Sequence, residues 1–302
     1  MSFILKNKWI FMGIALVLVL ASIASICFRG FNLDTDFAGG IAVTFDMKKD
    51  FSVADIEAKV SEALGANQKA SSVTKNIGTN EVEIKFGYDN DLPDEAARSQ
   101  FATDRVNKIE ELLKADFPEI ERRNVDVISP STGQGLAKSA ILMSLLACLL
   151  ILIYVAFRFE IFSGIVAVLC LAHDVLLLMG IYSIMHWAIN INFIAAVLTV
   201  LGYSINNTIV IMDRIRENTR HARKESYAEI ADKSVRQTMT RSINTTITTL
   251  LTIGMVYILG VASIKDFALP IIIGIFIGFY SSVFVAGSLW ATWRDAGVKG
   301  KK

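Results

Sequence analysis

The chain has 302 residues but only three cysteines, Cys27, Cys148 and Cys170, and all three lie in apolar runs. Residues 30–137 contain none, so that region has no disulfide framework and no CxxC redox or metal motif. It has to fold on its own core, which about 100 residues can supply. Charge is also scarce: 20% of the residues are charged against 53% hydrophobic, with a mean hydropathy of +0.48. Soluble domains carry about 25% charged residues. The deficit falls on residues 9–28 and most of 139–293, whereas 30–137 is composed like a soluble domain. That pattern excludes an ordinary soluble protein and indicates a polytopic membrane protein with one soluble insertion. Hydrolase and nucleotide signatures (GxSxG, HExxH, GxxxxGKS) are missing as well. His173 and Asp174 are adjacent, point about 100° apart on a helix, and have no nucleophile at a recognisable spacing. The chain is not expected to be an enzyme.

The net charge of +1 hides an asymmetry. Residues 30–137 hold 12 Lys/Arg against 20 Asp/Glu, and the remainder 18 against 9. The basic residues border apolar spans, which is the membrane pattern and gives no reason to expect a nucleic-acid partner.

Six apolar segments approach the roughly 20 residues that cross a bilayer. They are Trp9–Phe28, Ser139–Phe157, Ile161–Tyr182, Ile191–Met212, Ser242–Ile264 and Phe267–Trp290. The first has a basic start at Lys6 and Lys8, but its apolar run exceeds a signal-peptide h-region of about 7–15 residues, so it reads as an uncleaved anchor. Positive charge gathers in 213–241 (Arg214, Arg216, Arg220, Arg223, Lys224, Lys233, Arg236, Arg241), in the tail (Arg294, Lys299, Lys301, Lys302) and at the N-terminus. Six spans put all three on one side, and positive-inside counting makes that side cytoplasmic, an N-in, C-in topology. The expected division is 1–29 (N-terminus and first helix), 30–137 (an external domain), 138–293 (helices two to six with a basic loop at 213–241) and 294–302 (a cytoplasmic tail).

The insertion shows its own elements. Ile41, Val43 and Phe45 alternate with Ala42, Thr44 and Asp46 as in a half-buried strand. Ser52 opens a helix with Val53, Ile56, Val60 and Leu64 on one face. A weak strand at 70–77, a turn at Gly78-Thr79-Asn80 and a clean strand alternating Val82, Ile84 and Phe86 with Glu81, Glu83 and Lys85 follow. A helix from Pro93 to Asp116 and a strand about Val125 and Val127 complete the order β-α-β-β-α-β, that of a ferredoxin-like α+β domain.

Chemistry is sought where the membrane pattern breaks. Asp174 is the one carboxylate well inside a span, at a cost of at least about 2.5 kcal/mol. It reads either as a protonatable or cation-binding group or as a hydrogen-bond anchor between helices. Tyr203 and Asn207 share a face one turn apart in LGYSINNTIVIM, where polar side chains also serve as interhelical glue. Arg241, Thr245, Thr248 and Thr249 form a polar stripe, with Arg241 either a boundary anchor or a counter-charge. Gly274 and Gly278 form a GxxxG packing motif. In DTDFAGG, Asp34 and Asp36 suit local hydrogen bonding, and Gly39 and Gly40 suit unusual backbone angles.

These motifs resemble the SecD/SecF family of protein-export membrane proteins, on its SecF side. The resemblance rests on DTDFAGG (34–40), ISPSTGQGLAKSA (128–140), YVAFRFE (154–160), AHDVLL (172–177), LGYSINNTIVIMDRIREN (201–218) and VRQTMTRSINTTITTLLT (235–252). It implies six spans forming half of an RND-like unit with SecD in a bacterial cytoplasmic membrane. It further implies association with the SecYEG channel, engagement of a translocating unfolded polypeptide, and a proton or sodium gradient in place of any cofactor. Asp174, Asn207, Arg241, Tyr203 and Thr245 are then the ion-coupling candidates, and Asp36, Phe37, Gly39 and Gly40 a hinge or structural motif. Family members typically carry an Asp at the position of Asn207, whereas Arg241 keeps the family's arginine. The acid of SecD can suffice alone, Asp174 can serve instead, or the chain can be a structural half; the first is the expectation here. A half-transporter for a small apolar solute and a non-coupled translocon subunit are the alternatives.

Overall fold

A computed structural model describes residues 3–65, 70–76, 79–88, 95–222 and 225–299. Gly78, the helix start at Pro93, and Arg223, Lys224, Lys301 and Lys302 lie outside the described residues.

Among the described residues, six helices are long and apolar enough to cross a membrane. They are α1 (Lys8–Arg29), α5 (Pro130–Arg158), α6 (Ile161–Met185), α7 (Ile191–His221), α8 (Tyr227–Leu259) and a last span. That span runs as α9 (Ala262–Tyr280), a π-helical turn (Ser281–Ala286) and α10 (Gly287–Lys299). α6, α7 and the last span form the buried centre, while α1, α5 and α8 turn most of their apolar surface outward. Gly274 and Gly278 let α9 approach α7: a Cβ on Gly278 would stand 3.1 Å from Ser204 Cβ, and one on Gly274 would collide with Val200.

The helices run further than hydropathy alone suggests. α7 has 31 residues, about 46 Å at 1.5 Å per residue against a hydrocarbon core of about 30 Å. The segment 213–241, expected as a loop, is helical on both sides of a short connection, with Ala222 as the C-cap of α7 and Ser226 as the N-cap of α8. Its charges are spaced to support helix: Arg214 pairs with Glu217 at 2.6 Å, and Arg236 with Asp232 at 3.1 Å. Ser226 and Glu229 form a capping box, the hydroxyl accepting from Glu229 N at 3.3 Å and the carboxylate from Ser226 N at 2.8 Å. Likewise ISPSTGQGLAKSA belongs to α5 from Pro130 onward, with the Ser129 hydroxyl accepting from Thr132 N at 3.2 Å.

Between α1 and α5 lie β1 (Asn32–Leu33), α2 (Thr35–Ala38), β2 (Gly40–Asp46), α3 (Val53–Leu64), β3 (Ala70–Lys75), β4 (Glu81–Phe86), α4 (Glu95–Lys114) and β5 (Glu121–Ile128). The last four strands form an antiparallel sheet in the order β3-β4-β2-β5. Ile41, Val43 and Phe45 on β2 and Val82, Ile84 and Phe86 on β4 are fully buried against Ile56 and Val60 of α3 and Val106 and Ile109 of α4. The period-two strands and the helix stripes thus share one core. Ser52 occupies the N-cap position of α3, but its hydroxyl makes no cap bond.

β1 was not legible in the sequence. It pairs in parallel with β6 (Ala188–Ile189), the short strand joining α6 to α7. The chain leaving α1 is therefore stitched to the connection between two central spans before it enters the sheet.

Candidate functional site

Two buried polar clusters stand out, one in the membrane bundle and one where the sheet domain meets it. In the bundle, Asp174 lies near the midpoint of the 25-residue α6 and is fully buried. The hydroxyls of Ser204 on α7 and Ser281 on the last span both donate to its Oδ2, the latter at 2.9 Å. Its Oδ1 lies 2.9 Å from His173 Nδ1. The two side chains therefore meet despite their adjacency on the helix, because the imidazole reaches across to the carboxylate. Among the described residues no lysine or arginine comes within ion-pair distance of Asp174.

The cluster continues through α7. Thr208 and Ser282 share a hydroxyl–hydroxyl hydrogen bond of 2.9 Å. Asn207 is buried beside them, and its Nδ2, like His173 Nε2, has no hydrogen-bond partner among the described residues. Ser281 and Ser282 open the π-helical turn, and such turns are frequent at functional sites. In the sequence the only sign of these two serines is their adjacency, Tyr-Ser-Ser, within an apolar run.

The other candidates fall apart into separate places. Tyr203 is half-buried and hydrogen-bonds Thr246 on α8 at 2.7 Å, away from Asp174. Thr245 bonds the carbonyl of Arg241 at 2.8 Å. Arg241 is exposed and has no ion-pair partner among the described residues. It lines a polar cavity of about 560 Å³ between α7 and α8, with Asn206, Asp213, Arg214, Glu217 and Gln237. Asn207 faces inward and its neighbour Asn206 faces this cavity, so α7 presents one amide to each side.

The second cluster is built by DTDFAGG. Asp34 Oδ1 accepts from Thr35 N at 2.8 Å and caps α2, while its Oδ2 pairs with Lys85 Nζ of β4 at 3.2 Å. The Asp34 side chain is 3% exposed and that of Lys85 13%. Lys85, expected on the solvent face, is therefore turned into the joint. Burial disfavours its charge, but Asp34, Glu83 and Asp36 outweigh that and raise its pKa above the ordinary lysine value. Asp36 Oδ2 accepts from Ile191 N at 3.1 Å and so satisfies a free amide at the N-terminus of α7. Asn190 caps the same helix through Phe193 N at 2.9 Å and donates to Asp266 of α9 at 3.1 Å. Phe37 is buried against Leu177, Leu178 and Phe193 of the bundle. Gly39 has φ +81°, and a Cβ there would lie 2.8 Å from the backbone of Pro130; at Gly40 it would lie 2.6 Å from Phe86 O. These glycines permit tight packing of the joint.

Comparison with known proteins bears on the whole chain. Residues 108–296 match the family described as protein export membrane protein SecD/SecF, C-terminal. The protein translocase subunit SecF of Acidaminococcus fermentans is 34% identical over 96% of this chain and 97% of its own length. The protein translocase subunit SecDF of Thermus thermophilus is 36% identical over 93% of this chain, which spans 37% of that longer protein. The crystal structure of SecDF from the same organism, a translocon-associated membrane protein, superposes with a TM-score of 0.78 at 31% identity, over 97% of this chain and 39% of that one. The chain belongs to the SecD/SecF family of protein-export membrane proteins and corresponds to its SecF part.

Proposed function

We propose that this chain is the SecF-type subunit of the Sec protein translocase, pairing with a SecD chain in the bacterial inner membrane to promote export of polypeptides. The fusion of both parts in the SecDF relatives, of which this chain spans 37% and 39%, supports the pairing. In this reading the chain supplies six spans as an RND-like half, with N- and C-termini in the cytoplasm, residues 30–137 outside, and 138–293 as the main membrane part. The βαββαβ order with strands arranged β3-β4-β2-β5 supports a ferredoxin-like domain for the inserted region. A proton or sodium gradient drives the cycle without a bound cofactor. SecYEG and the unfolded translocating chain are the further partners. No catalytic role is assigned.

The observation that carries this reading is the joint. One short segment ties β2 of the inserted sheet to the N-terminus of α7, the helix that also holds Ser204, Asn207 and Asn206. A change in the membrane cluster that tilts α7 therefore reaches the inserted domain through Asp36, Phe37 and the β1–β6 pair rather than through a loose linker. Arg241, Tyr203 and Thr245 flank the α7–α8 side of that path.

Pulse-labelling of cells depleted of this protein, following the processing of a secreted precursor, tests the role. Slower processing, restored by the wild-type chain, is expected. Unchanged processing with depletion verified would remove the export reading.

A further inference from the structure

The hairpin of α5 and α6 opens a groove that the export reading does not use. Its volume is about 360 Å³, with Leu152 and Ala156 of α5 on one wall and Ile165 and Val168 of α6 on the other. Val155 and Gly164 form its floor: both are buried, and a Cβ on Gly164 would meet Val155 Cγ1 at 3.4 Å, so the helices touch there. The groove begins at the charged turn of Arg158 and Glu160 and its lining reaches Leu169. The nine residues from Glu160 to Leu169 rise about 13.5 Å, close to half of a hydrocarbon core of about 30 Å. The groove therefore runs from one membrane boundary to about the mid-plane, the depth of a single leaflet. A transmembrane helix would need a track through both leaflets, and a single turn of it already fills about 500 Å³.

The mouth of the groove carries charge of both signs. Glu160 occupies the N-cap position of α6 but makes no cap bond, and its Oε2 is held by Arg294 Nη2 of the last span. Arg294 is packed among Phe162, Tyr227 and Trp290, its guanidinium carbon 4.9, 5.9 and 5.8 Å from their ring centroids. The carboxylate is thus fixed in place, and its Oε1 has no partner among the described residues. Arg158 lies over Phe159, which also lines the groove, with Cζ 5.2 Å from the ring centroid. Its Nη2 pairs with Asp213 at 2.8 Å, and its Nε and Nη1 have no partner among the described residues. A spare cationic donor and a spare anionic acceptor therefore flank the entrance of an apolar slot.

We infer that this groove binds one phospholipid, with an acyl chain between α5 and α6 and a headgroup of the ethanolamine type at the α5–α6 turn. The chain by itself gives no selectivity, because its alternative surroundings are hydrocarbon as well. The headgroup decides. Its phosphate accepts from the spare donors of Arg158, and its primary ammonium donates to Glu160 Oε1. A choline headgroup has the charge but no N–H to donate, and a glycerol headgroup brings no cation to the carboxylate. At its other end α5 is pinned to the joint, where a Cβ on Gly133 would lie 2.7 Å from Phe37 O, so the lipid supplies packing at the end that the joint does not reach. The site stands on the groove and its charges and not on the export role; the proposed orientation only makes its leaflet the cytoplasmic one.

Native mass spectrometry of the purified full chain in detergent, offered phosphatidylethanolamine, phosphatidylcholine and phosphatidylglycerol with identical chains, reads the retained lipid directly. The expected result is one retained phosphatidylethanolamine, held about ten-fold more tightly than either competitor, the worth of one charge-assisted hydrogen bond. Glu160→Gln is expected to remove most of that preference, and Ala156→Trp, which fills the groove from an exposed position, to release the lipid. Equal retention of the three lipids, a preference for phosphatidylglycerol, or undiminished retention by a folded Ala156→Trp chain would overturn the inference. A phosphatidylethanolamine with a photoreactive diazirine on its acyl chain, in nanodiscs with the unaltered chain, tests it without any variant. Labelling is expected within 152–156 and 164–169; labelling confined to α1 or α8 would contradict the site.

Discussion

Two buried carboxylates show how differently the two regions of this molecule handle charge. Asp34, in the joint between sheet and bundle, is 2% exposed and sits against Lys85 and the amide of Thr35. Asp174, in the bundle, is 0% exposed and is offered hydroxyls and an imidazole. The Asp34–Lys85 ion pair fastens β4 to the segment that leaves α1. The second has no lysine or arginine within ion-pair distance among the described residues and is held by hydrogen bonds from α7 and the last span. The joint is thus held by an ion pair, and the bundle centre by hydrogen bonds that join three helices.

The largest effect is expected where the fixed pair is broken. Lys85→Ala leaves Asp34 buried without its cation and should cost about 3 kcal/mol, read by thermal unfolding of the full chain, whereas removing both charges in Asp34→Asn/Lys85→Met should recover most of it. Gly39→Ala comes next, at about 2 kcal/mol, since φ +81° and the Pro130 backbone 2.8 Å from the new Cβ both oppose it. Asp174→Asn sharpens the contrast from the other side. An amide keeps one oxygen to accept from the hydroxyls of Ser204 and Ser281, so the change should cost only about 1 kcal/mol in thermal unfolding of the full chain. A loss as large as that of Lys85→Ala would mean that the hydrogen bonds at Asp174 hold the bundle as firmly as the ion pair holds the joint.

The smallest effect belongs to the exposed rim of the sheet. The Arg123 guanidinium and the Lys48 ammonium, 2.8 and 3.0 Å from Asp46, hold its carboxyl down to about 2 from an ordinary 3.8. Its folded value lies below its unfolded one, so its contribution is complete above 3.8 and is lost as the pH falls towards 2. Asp46→Asn should therefore flatten the acid limb of the stability curve of the full chain and leave neutral pH almost unchanged, as circular dichroism at stepped pH would show.

Most of the architecture was legible because it is carried by periodicity. Alternation at 41–45 and 82–86 and long apolar runs are strong local signals, and the insertion and all six spans follow from them. β1 and β6 are each two residues long and have no period to read. The helical extensions through 213–221 and 227–241 were hidden because charge was read as loop, although Arg214–Glu217 and Asp232–Arg236 have helical spacing. At the bundle cluster Asp174 was legible from its cost alone. Ser204, Ser281 and the His173 contact were not, since a hydroxyl in a membrane helix carries no sign of which helix it faces. Lys85 was misplaced because alternation assigns a face and does not say what covers that face.

The most direct test of the account is whether the joint transmits. Asp36→Ala removes the carboxylate from the amide of Ile191 while leaving the Asp34–Lys85 pair and the sheet core in place. Precursor processing is measured by pulse-labelling in depleted cells that carry this variant, with its abundance and SecD co-purification matched to wild type. The account predicts processing as slow as in cells lacking the protein. Processing at the wild-type rate would contradict it, because the inserted domain would then act without its fastening to α7.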